Sequence, residues 1–111
     1  DVHDIISAMP EFFDLLDSGG FYLACAMGLH RTDIAIALYY VFHPSLPLDE
    51  VPEMRGHRRN GNFRCDDIAA RLNAVMRALT AEDMNRLGLP SDYETIFQKR
   101  KKHLFDVNRN F

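Results

Sequence analysis

The stretch FYLACAMGLHRTDIAIALYYVF, residues 21–42, joins a short apolar run to a long one. Residues 21–25 are apolar and follow a Gly-Gly pair, which predicts a buried strand. Residues 32–42 are predicted to form a helix with apolar side chains on nearly every face. A helix that is apolar all round is buried on several sides. We therefore expect residues 32–42 to lie in the middle of the fold.

Further helices are predicted on both sides of this stretch. Residues 1–18 have helical spacing, with a kink or a fresh start at Pro10. Residues 66–79 form an amphipathic pattern, and residues 80–88 a shorter helix that ends at a glycine. The last helix is expected to bury four side chains, those of Tyr93, Ile96, Phe97 and Leu104. The polar segment RGHRRNGNFR, residues 55–64, contains an Asn-Gly turn signal and is predicted to be a loop.

The bulk properties limit the class of protein. A chain of 111 residues is predicted to form a single domain. The formal charge of −3 gives no overall electrostatic reason to bind nucleic acid. Two cysteines are too few for a disulfide scaffold, which indicates a reducing, cytoplasmic location. The longest apolar run has nine residues, 34–42, too few to span a bilayer, so no membrane partner is expected.

The chemistry is expected between Cys25 and Thr32, in the segment Cys-Ala-Met-Gly-Leu-His-Arg-Thr. A loop between a strand end and a helix start can direct its backbone N–H groups at an anion. Gly28 permits backbone angles that other residues resist. The Arg31 guanidinium offers a fork that matches two phosphoryl oxygens, and Thr32 can donate its hydroxyl to the cysteine sulfur, which favours the thiolate.

This segment resembles the signature loop of the protein tyrosine and dual-specificity phosphatase superfamily, Cys-x5-Arg-Ser/Thr between a strand and a central helix. The resemblance covers about residues 4–43. It implies that Cys25 is the nucleophile, Arg31 the phosphate clamp and Thr32 the hydroxyl that assists hydrolysis. The backbone amides that would complete the phosphate cradle belong to Ala26, Met27, Gly28, Leu29, His30 and Arg31.

The resemblance also implies an upstream aspartate that protonates the leaving oxygen. Asp1 and Asp4 are the two candidates for this acid, and the alternative is that they only cap or complement a helix start. The family usually has histidine directly before the cysteine, where this chain has Ala24. No metal site and no cofactor are expected, since none of the five histidines has a partner at metal-ligand spacing.

The fold implied by the resemblance is α/β, a parallel sheet with flanking helices. This chain would supply mostly helices and one strand that leads into the signature loop. The earlier strands of the family's sheet come from sequence that precedes such a segment. We therefore expect residues 1–111 to be the carboxy-terminal part of a longer phosphatase-like domain.

Three functions are compatible with these features. The first is a phosphatase that hydrolyses phosphomonoesters, on a phosphorylated protein or a small molecule, through a phosphocysteine intermediate. The second is an inactive or weak phosphate-binding module. The third is a helical protein-interaction domain in which the motif is accidental.

The remaining charged and cysteine residues are interpreted as structural or surface features. The basic clusters at residues 55–64 and 99–102 are interpreted mainly as solvated surface, and Cys65 as a structural residue.

Overall fold

The computed structural model describes residues 1–19, 29–53, 58–59, 62–63 and 65–109. Five helices account for most of these residues. In chain order the elements are α1 (Val2–Asp17), α2 (Leu29–Phe42), β1 (Arg58–Arg59), β2 (Asn62–Phe63), α3 (Cys65–Ala78), α4 (Ala81–Leu87) and α5 (Tyr93–Arg109). The described part of the chain is built from helices packed on helices.

The predicted parallel sheet with flanking helices is wrong. The one strand pairing among the described residues is antiparallel, between β1 and β2. Two residues separate α3 from α4 and five separate α4 from α5, which leaves little room for a strand of the usual length, about five or six residues, between these helices. The strand predicted at residues 21–25 lies outside the described residues.

Helix α2 is the centre of the core, as its sequence predicted. It begins at Leu29, three residues before the predicted start, and ends at Phe42 before His43-Pro44. Helices α3 and α5 both pack against it. The fully or largely buried side chains of α2 include Ala37, Leu38, Tyr40, Val41 and Phe42. Helices on several sides bury an apolar helix as completely as a sheet does, so the pattern alone did not distinguish the two folds.

The amphipathic helices α1 and α3 pack against each other. Helix α1 continues through Pro10 and buries Ile6, Met9 and Phe13. Helix α3 buries Ile68, Leu72 and Val75, which belong to the predicted apolar stripe. Both helices bury one face and expose the other, which is the arrangement that the helical spacing predicted.

Helix α4 begins and ends at the predicted signals. The Thr80 hydroxyl accepts a hydrogen bond from the N–H of Asp83 at 3.1 Å, and the Asp83 carboxylate accepts one from the N–H of Thr80. This capping box satisfies two N–H groups that the helix itself leaves unpaired. Gly88 ends the helix with a φ of 73°, a left-handed conformation that favours glycine.

Helix α5 buries Tyr93, Phe97 and Leu104, as predicted. The prediction that Ile96 is buried is wrong, because its side chain is 37% exposed. Ile96 precedes Phe97 by one residue, and successive residues of a helix point about 100° apart. Ile96 therefore lies at the edge of the buried face rather than within it.

The segment 55–64, predicted as a loop, contains both short strands. Arg58 pairs with Phe63 and Arg59 pairs with Asn62, with Asn60 and Gly61 between them in the sequence. Asn-Gly is a strong sequence signal for a two-residue hairpin connection. The predicted turn at Asn60-Gly61 lies outside the described residues, and the strand pairing on either side of it was not predicted. Strand β2 contacts helix α5.

The carboxyl end of α2 is held by two side chains of α5. The Tyr93 hydroxyl donates to the carbonyl oxygen of Val41 at 2.5 Å. Arg100, 5% exposed, donates to the carbonyl oxygens of Tyr40 at 2.8 Å and Leu46 at 2.5 Å, and its guanidinium carbon lies 5.2 Å from the centre of the Tyr40 ring. Carbonyls at the end of a helix lack intrahelical partners, and a cation interacts favourably with them.

Burial raises the pKa of Tyr93 to about 12, and the charge of Arg100 opposes part of this rise. The phenol therefore stays neutral and remains a hydrogen-bond donor throughout the neutral pH range. The bond from Tyr93 to Val41 is for this reason insensitive to pH near neutrality.

We predict that Arg100→Met destabilises the protein by at least about 2 kcal/mol, since hydrogen bonds from charged donors contribute about 1.5–3 kcal/mol each. Urea unfolding followed by circular dichroism measures this difference. Lys99→Met removes the same charge from the exposed neighbour, and should change stability by no more than about 0.5 kcal/mol. Equal losses in the two variants would contradict the role given to Arg100.

Candidate functional site

The first turn of α2 contains half of the segment predicted to bind phosphate. Leu29, His30, Arg31 and Thr32 are the first four residues of the helix. Cys25 and the cradle residues Ala26, Met27 and Gly28 lie outside the described residues. Cys25 precedes the start of the helix by four residues in the sequence, and the last three residues of the predicted loop, Leu29, His30 and Arg31, belong to the helix.

The start of α2 is electrostatically suited to an anion. The first four N–H groups of a helix have no intrahelical acceptor, and they carry a partial positive charge. No acidic residue occurs in the first turn of α2. Arg31 adds a formal positive charge at its third residue. The N–H groups and Arg31 favour a negatively charged ligand at this end of the helix, whereas the carboxyl group of Asp33, one residue after Thr32, disfavours one.

Asp33 is a buried residue that the sequence analysis missed. It directly follows Thr32, is 5% exposed and interacts with other groups of the protein. It is the one charged residue between Thr32 and Phe42, in a helix predicted to be apolar all round. A buried carboxyl group requires partners, so an acidic residue within this apolar run was the signal that could have identified it.

The two candidate acids lie at the start of α1. Asp1 is the N-cap of that helix, and its Oδ1 accepts a hydrogen bond from the N–H of His3 at 2.9 Å. Asp4 is exposed in the first turn. Helix α1 meets α2 through Phe13 and Asp17, and Asp17 lies about 20 Å along the helix from Asp4 at about 1.5 Å per residue. Asp1 therefore has the N-capping role that was the alternative to its acting as a general acid.

A cluster of three polar side chains joins the end of α1 to the end of α2. The Tyr39 hydroxyl donates to Asp17 Oδ1 at 2.5 Å, and His43 Nε2 lies 2.9 Å from Asp17 Oδ2. The Phe13 ring lies 5.5 Å from the Tyr39 ring and 5.6 Å from the His43 ring, measured between centres. These contacts hold Asp17, which is three residues before residues 20–28.

The electrostatics of the cluster follow from its geometry. The hydrogen bond from Tyr39, and next the one with His43, lower the pKa of Asp17. Burial, and next the bond to Asp17, raise the pKa of Tyr39 to about 12. Tyr39 and Asp17 are therefore neutral and ionised respectively at pH 7. Spacings of 22 and 26 residues separate Asp17 from its partners, so no local sequence signal could have identified the cluster.

A groove of about 460 Å³ runs along the side of α2. Its described lining comprises Leu16, Ile36, Tyr39, Tyr40, Leu46, Glu50, Pro52 and Glu53. Two carboxyl groups in an otherwise mostly apolar lining disfavour a phosphate ligand, because like charges repel. The groove is thus not an alternative location for the predicted phosphate site.

Two broader tests concern metals and membranes. Within the described ranges, no group of three or more His, Cys, Asp or Glu residues is arranged to hold a metal ion. Among the same residues, none of the helices has the length and apolar character needed to cross a bilayer.

Comparison with known proteins gives no match: no family model, no curated protein and no solved structure is similar to this chain. The phosphatase resemblance therefore rests on the residues from Cys25 to Thr32 and their context.

We predict that Asp17→Asn lowers stability at neutral pH by about 0.2–1 kcal/mol, the usual range for an exposed charged contact, because it weakens the hydrogen bonds with Tyr39 and His43. Because the folded-state pKa of Asp17 is lowered, its contribution is present above the unfolded value of about 3.9 and is lost as the pH falls through the folded value. Urea unfolding of both proteins between about pH 7 and pH 2 measures this. A difference that persists undiminished at the acid end would contradict the assignment.

Proposed function

We propose that this chain hydrolyses phosphomonoesters through a cysteine nucleophile in the loop before α2. The observation that carries the proposal is the start of α2 at Leu29. It supports a phosphate site because Arg31 and Thr32 then belong to the first helical turn, with Cys25 four residues before it. Anion binding at the amino end of a helix combines free N–H groups with a favourable dipole.

In the proposed reaction, the Cys25 thiolate attacks phosphorus and the bond from phosphorus to the ester oxygen breaks. The leaving oxygen keeps the bonding electrons and takes a proton from solvent. Water then attacks the phosphocysteine, which releases inorganic phosphate and restores the thiolate. Arg31 and the backbone amides of residues 26–31 stabilise the charge on the phosphoryl oxygens, and Thr32 donates to the sulfur as it leaves.

The substrates that suit this site are aryl phosphates, because no residue of the chain is assigned as the acid. A general acid contributes about 10²–10⁴-fold to a rate, and a good leaving group reduces the need for one. The phenol of tyrosine has a pKa of about 10, far below that of an alkyl alcohol. Phosphotyrosine in a protein, or a small aryl phosphate, is therefore the proposed substrate class.

A second candidate is a module that binds phosphate without turnover. The observation that favours it is the helical fold, since the resembling family holds its signature loop with a parallel sheet and the described residues contain none. A loop without that support can keep its anion-binding N–H groups while the sulfur is poorly aligned with phosphorus. Alignment of the reacting atoms is a large part of catalysis.

The proposed location is the cytoplasm, since a thiolate nucleophile needs a reducing compartment. The proposed partner is a phosphorylated protein or small molecule. Neither a membrane nor a nucleic acid has a role in the proposal.

The direct test is turnover of p-nitrophenyl phosphate. We expect the wild-type chain to release p-nitrophenol, Cys25→Ser to abolish this, and Cys65→Ser to retain it. Vanadate should inhibit the wild-type protein competitively, and Arg31→Ala should lose vanadate binding while Arg77→Ala keeps it. The two control variants remove a cysteine and an arginine elsewhere in the same chain.

The outcomes separate the candidates. Vanadate binding that depends on Arg31, without turnover, favours the non-catalytic module. The absence of both turnover and Arg31-dependent binding rejects phosphate chemistry at this site. Turnover that survives Cys25→Ser rejects the proposed nucleophile.

A further prediction concerns the two aspartates of the first turn of α1. Asp1→Asn and Asp4→Asn should leave turnover of p-nitrophenyl phosphate unchanged, because Asp1 caps α1, Asp4 is exposed, and p-nitrophenolate is a leaving group that needs little help from an acid. Asparagine is as good an N-cap as aspartate, so Asp1→Asn preserves the helix start. The rate and its pH profile are measured for both variants, and a loss of about 10²-fold or more in either would identify a general acid.

A further inference from the structure

The charges of the chain are divided between its two halves. Residues 1–53 contain nine acidic residues and one arginine, a formal charge of −8, whereas residues 54–111 contain seven acidic and twelve basic residues, a formal charge of +5. The net charge of −3 conceals this division. The fold determines whether the two sets of charges neutralise each other within one molecule.

The solvent face of α1 is an acidic stripe. Asp4, Glu11 and Asp14 are all exposed, and α1 contains no lysine or arginine. The three residues are seven and three positions apart, so they share one face of the helix. None of them makes an ion pair within the part of the chain that the structure describes. Arg86 is a cation close to the stripe, since it lines one cavity with Asp14, but it forms its ion pair with Asp83.

The solvent face of α5 carries the matching cations. Lys99 and Lys102 are exposed and three residues apart, the same spacing as Glu11 and Asp14. Lys102 binds Asp106 at 2.9 Å, with its side chain 75% exposed. Side chains at this spacing are neighbours on a helix surface, about 5–6 Å apart at Cβ. The two pairs therefore have the same spacing and opposite charges.

The two helices share one packing partner, α3, and each has one partner of its own. Helix α1 packs against α3 and α4, and α5 packs against α2 and α3. Ile6, Met9 and Phe13 direct one face of α1 inward, and Tyr93 and Phe97 do the same for α5. Each charged face therefore points away from the core on its own side. Among the described residues no ion pair joins the two faces within one molecule, so their charges are available to a second molecule.

We propose that copies of this chain associate head to tail, with the acidic stripe of α1 on one copy against the basic face of α5 on the next. Glu11 and Asp14 of one copy pair with Lys99 and Lys102 of the other. The contact joins two different surfaces, so it produces a ring or an open chain of copies rather than a symmetric dimer. Exposed ion pairs are individually weak and screened by salt, so the association is reversible and salt-dependent.

A second copy fits the basic face better than a polyanion does. Glu94 and Asp106 are exposed on α5 with the two lysines, and a nucleic acid or an anionic membrane would be repelled by them. A row of discrete carboxylates can instead pair with Lys99 and Lys102 and avoid both acids. The chain itself provides such a row.

Sedimentation velocity tests the proposal. At about 10 mM salt, where the Debye length is about 30 Å, the average mass should rise with concentration above the 12.8 kDa of one chain. At about 1 M salt, where it is about 3 Å, the mass should return to that of the monomer. Glu11→Lys with Asp14→Lys should be monomeric in both conditions, and so should Lys99→Glu with Lys102→Glu.

The decisive sample is a mixture of these two double variants. In each variant the substituted pair has the same charge as the unsubstituted pair on the other helix, but the two variants are complementary, so the mixture should associate although neither variant does alone. Glu82→Lys with Asp92→Lys is the control, because it makes the same change in net charge at exposed sites elsewhere and should still associate. Circular dichroism confirms that each variant is folded.

Three results would overturn the proposal. They are a wild-type monomer at low salt, association that salt does not weaken, and a mixture of the folded double variants that stays monomeric. None of these measurements involves phosphate or turnover, so their outcome is independent of the proposed phosphatase activity. If the folded wild-type chain binds to heparin but does not self-associate, the ligand of the basic face is a polyanion instead.

Discussion

The carboxyl end of helix α2 is the constraint on which the described structure depends. The helix is buried there, and its last carbonyl groups cannot reach water, so each needs a donor from elsewhere in the chain. Tyr93 and Arg100 supply these donors from α5, at the carbonyls of Val41 and Tyr40. Arg100 also binds Leu46, in the segment that leaves the helix. One set of hydrogen bonds thus fixes the position of α5 and the path of the chain after Phe42.

This arrangement also separates the two ends of α2 by role. The carboxyl end is packed and fully engaged in the fold, whereas the amino end begins the turn that contains Arg31 and Thr32. The Asp17 cluster then fixes the end of α1, three residues before residues 20–28. Both ends of the segment that contains Cys25 are therefore attached to well-packed helices. A binding loop between rigid elements loses less entropy when it closes on a ligand.

Much of the helical structure could be predicted from the sequence, but the fold class could not. The spacing of Ile68, Leu72 and Val75, and the glycine that ends the helix after Leu87, are local signals, and the structure confirmed both helices. The parallel sheet was inferred from a resemblance confined to residues 4–43, and it is wrong for this chain. A helix that is apolar on all faces can pack against a sheet or against other helices. The pattern shows that the helix is buried, but it does not show which elements bury it. The short connections after α3 and α4 were the better evidence.

The candidate site was predictable only where its residues are adjacent in the sequence. Arg31 and Thr32 are the third and fourth residues of α2, three residues deeper in the helix than predicted, while Cys25 lies outside the described residues. Asp17, Tyr39 and His43 come together only through the packing of α1 on α2, which no sequence window contains. Asp33 is different, because a single charge within an apolar helix is a local signal that was overlooked.

Native-state hydrogen exchange tests the central claim most directly. If side chains of α5 hold the end of α2 in the core, the amides of Tyr40, Val41 and Phe42 should exchange only through global unfolding. Their exchange free energies should equal those of Phe97 and Leu104, since amides of one cooperative unit exchange together. Exchange at Tyr40, Val41 and Phe42 through a local opening of much lower free energy than at Phe97 would contradict the account.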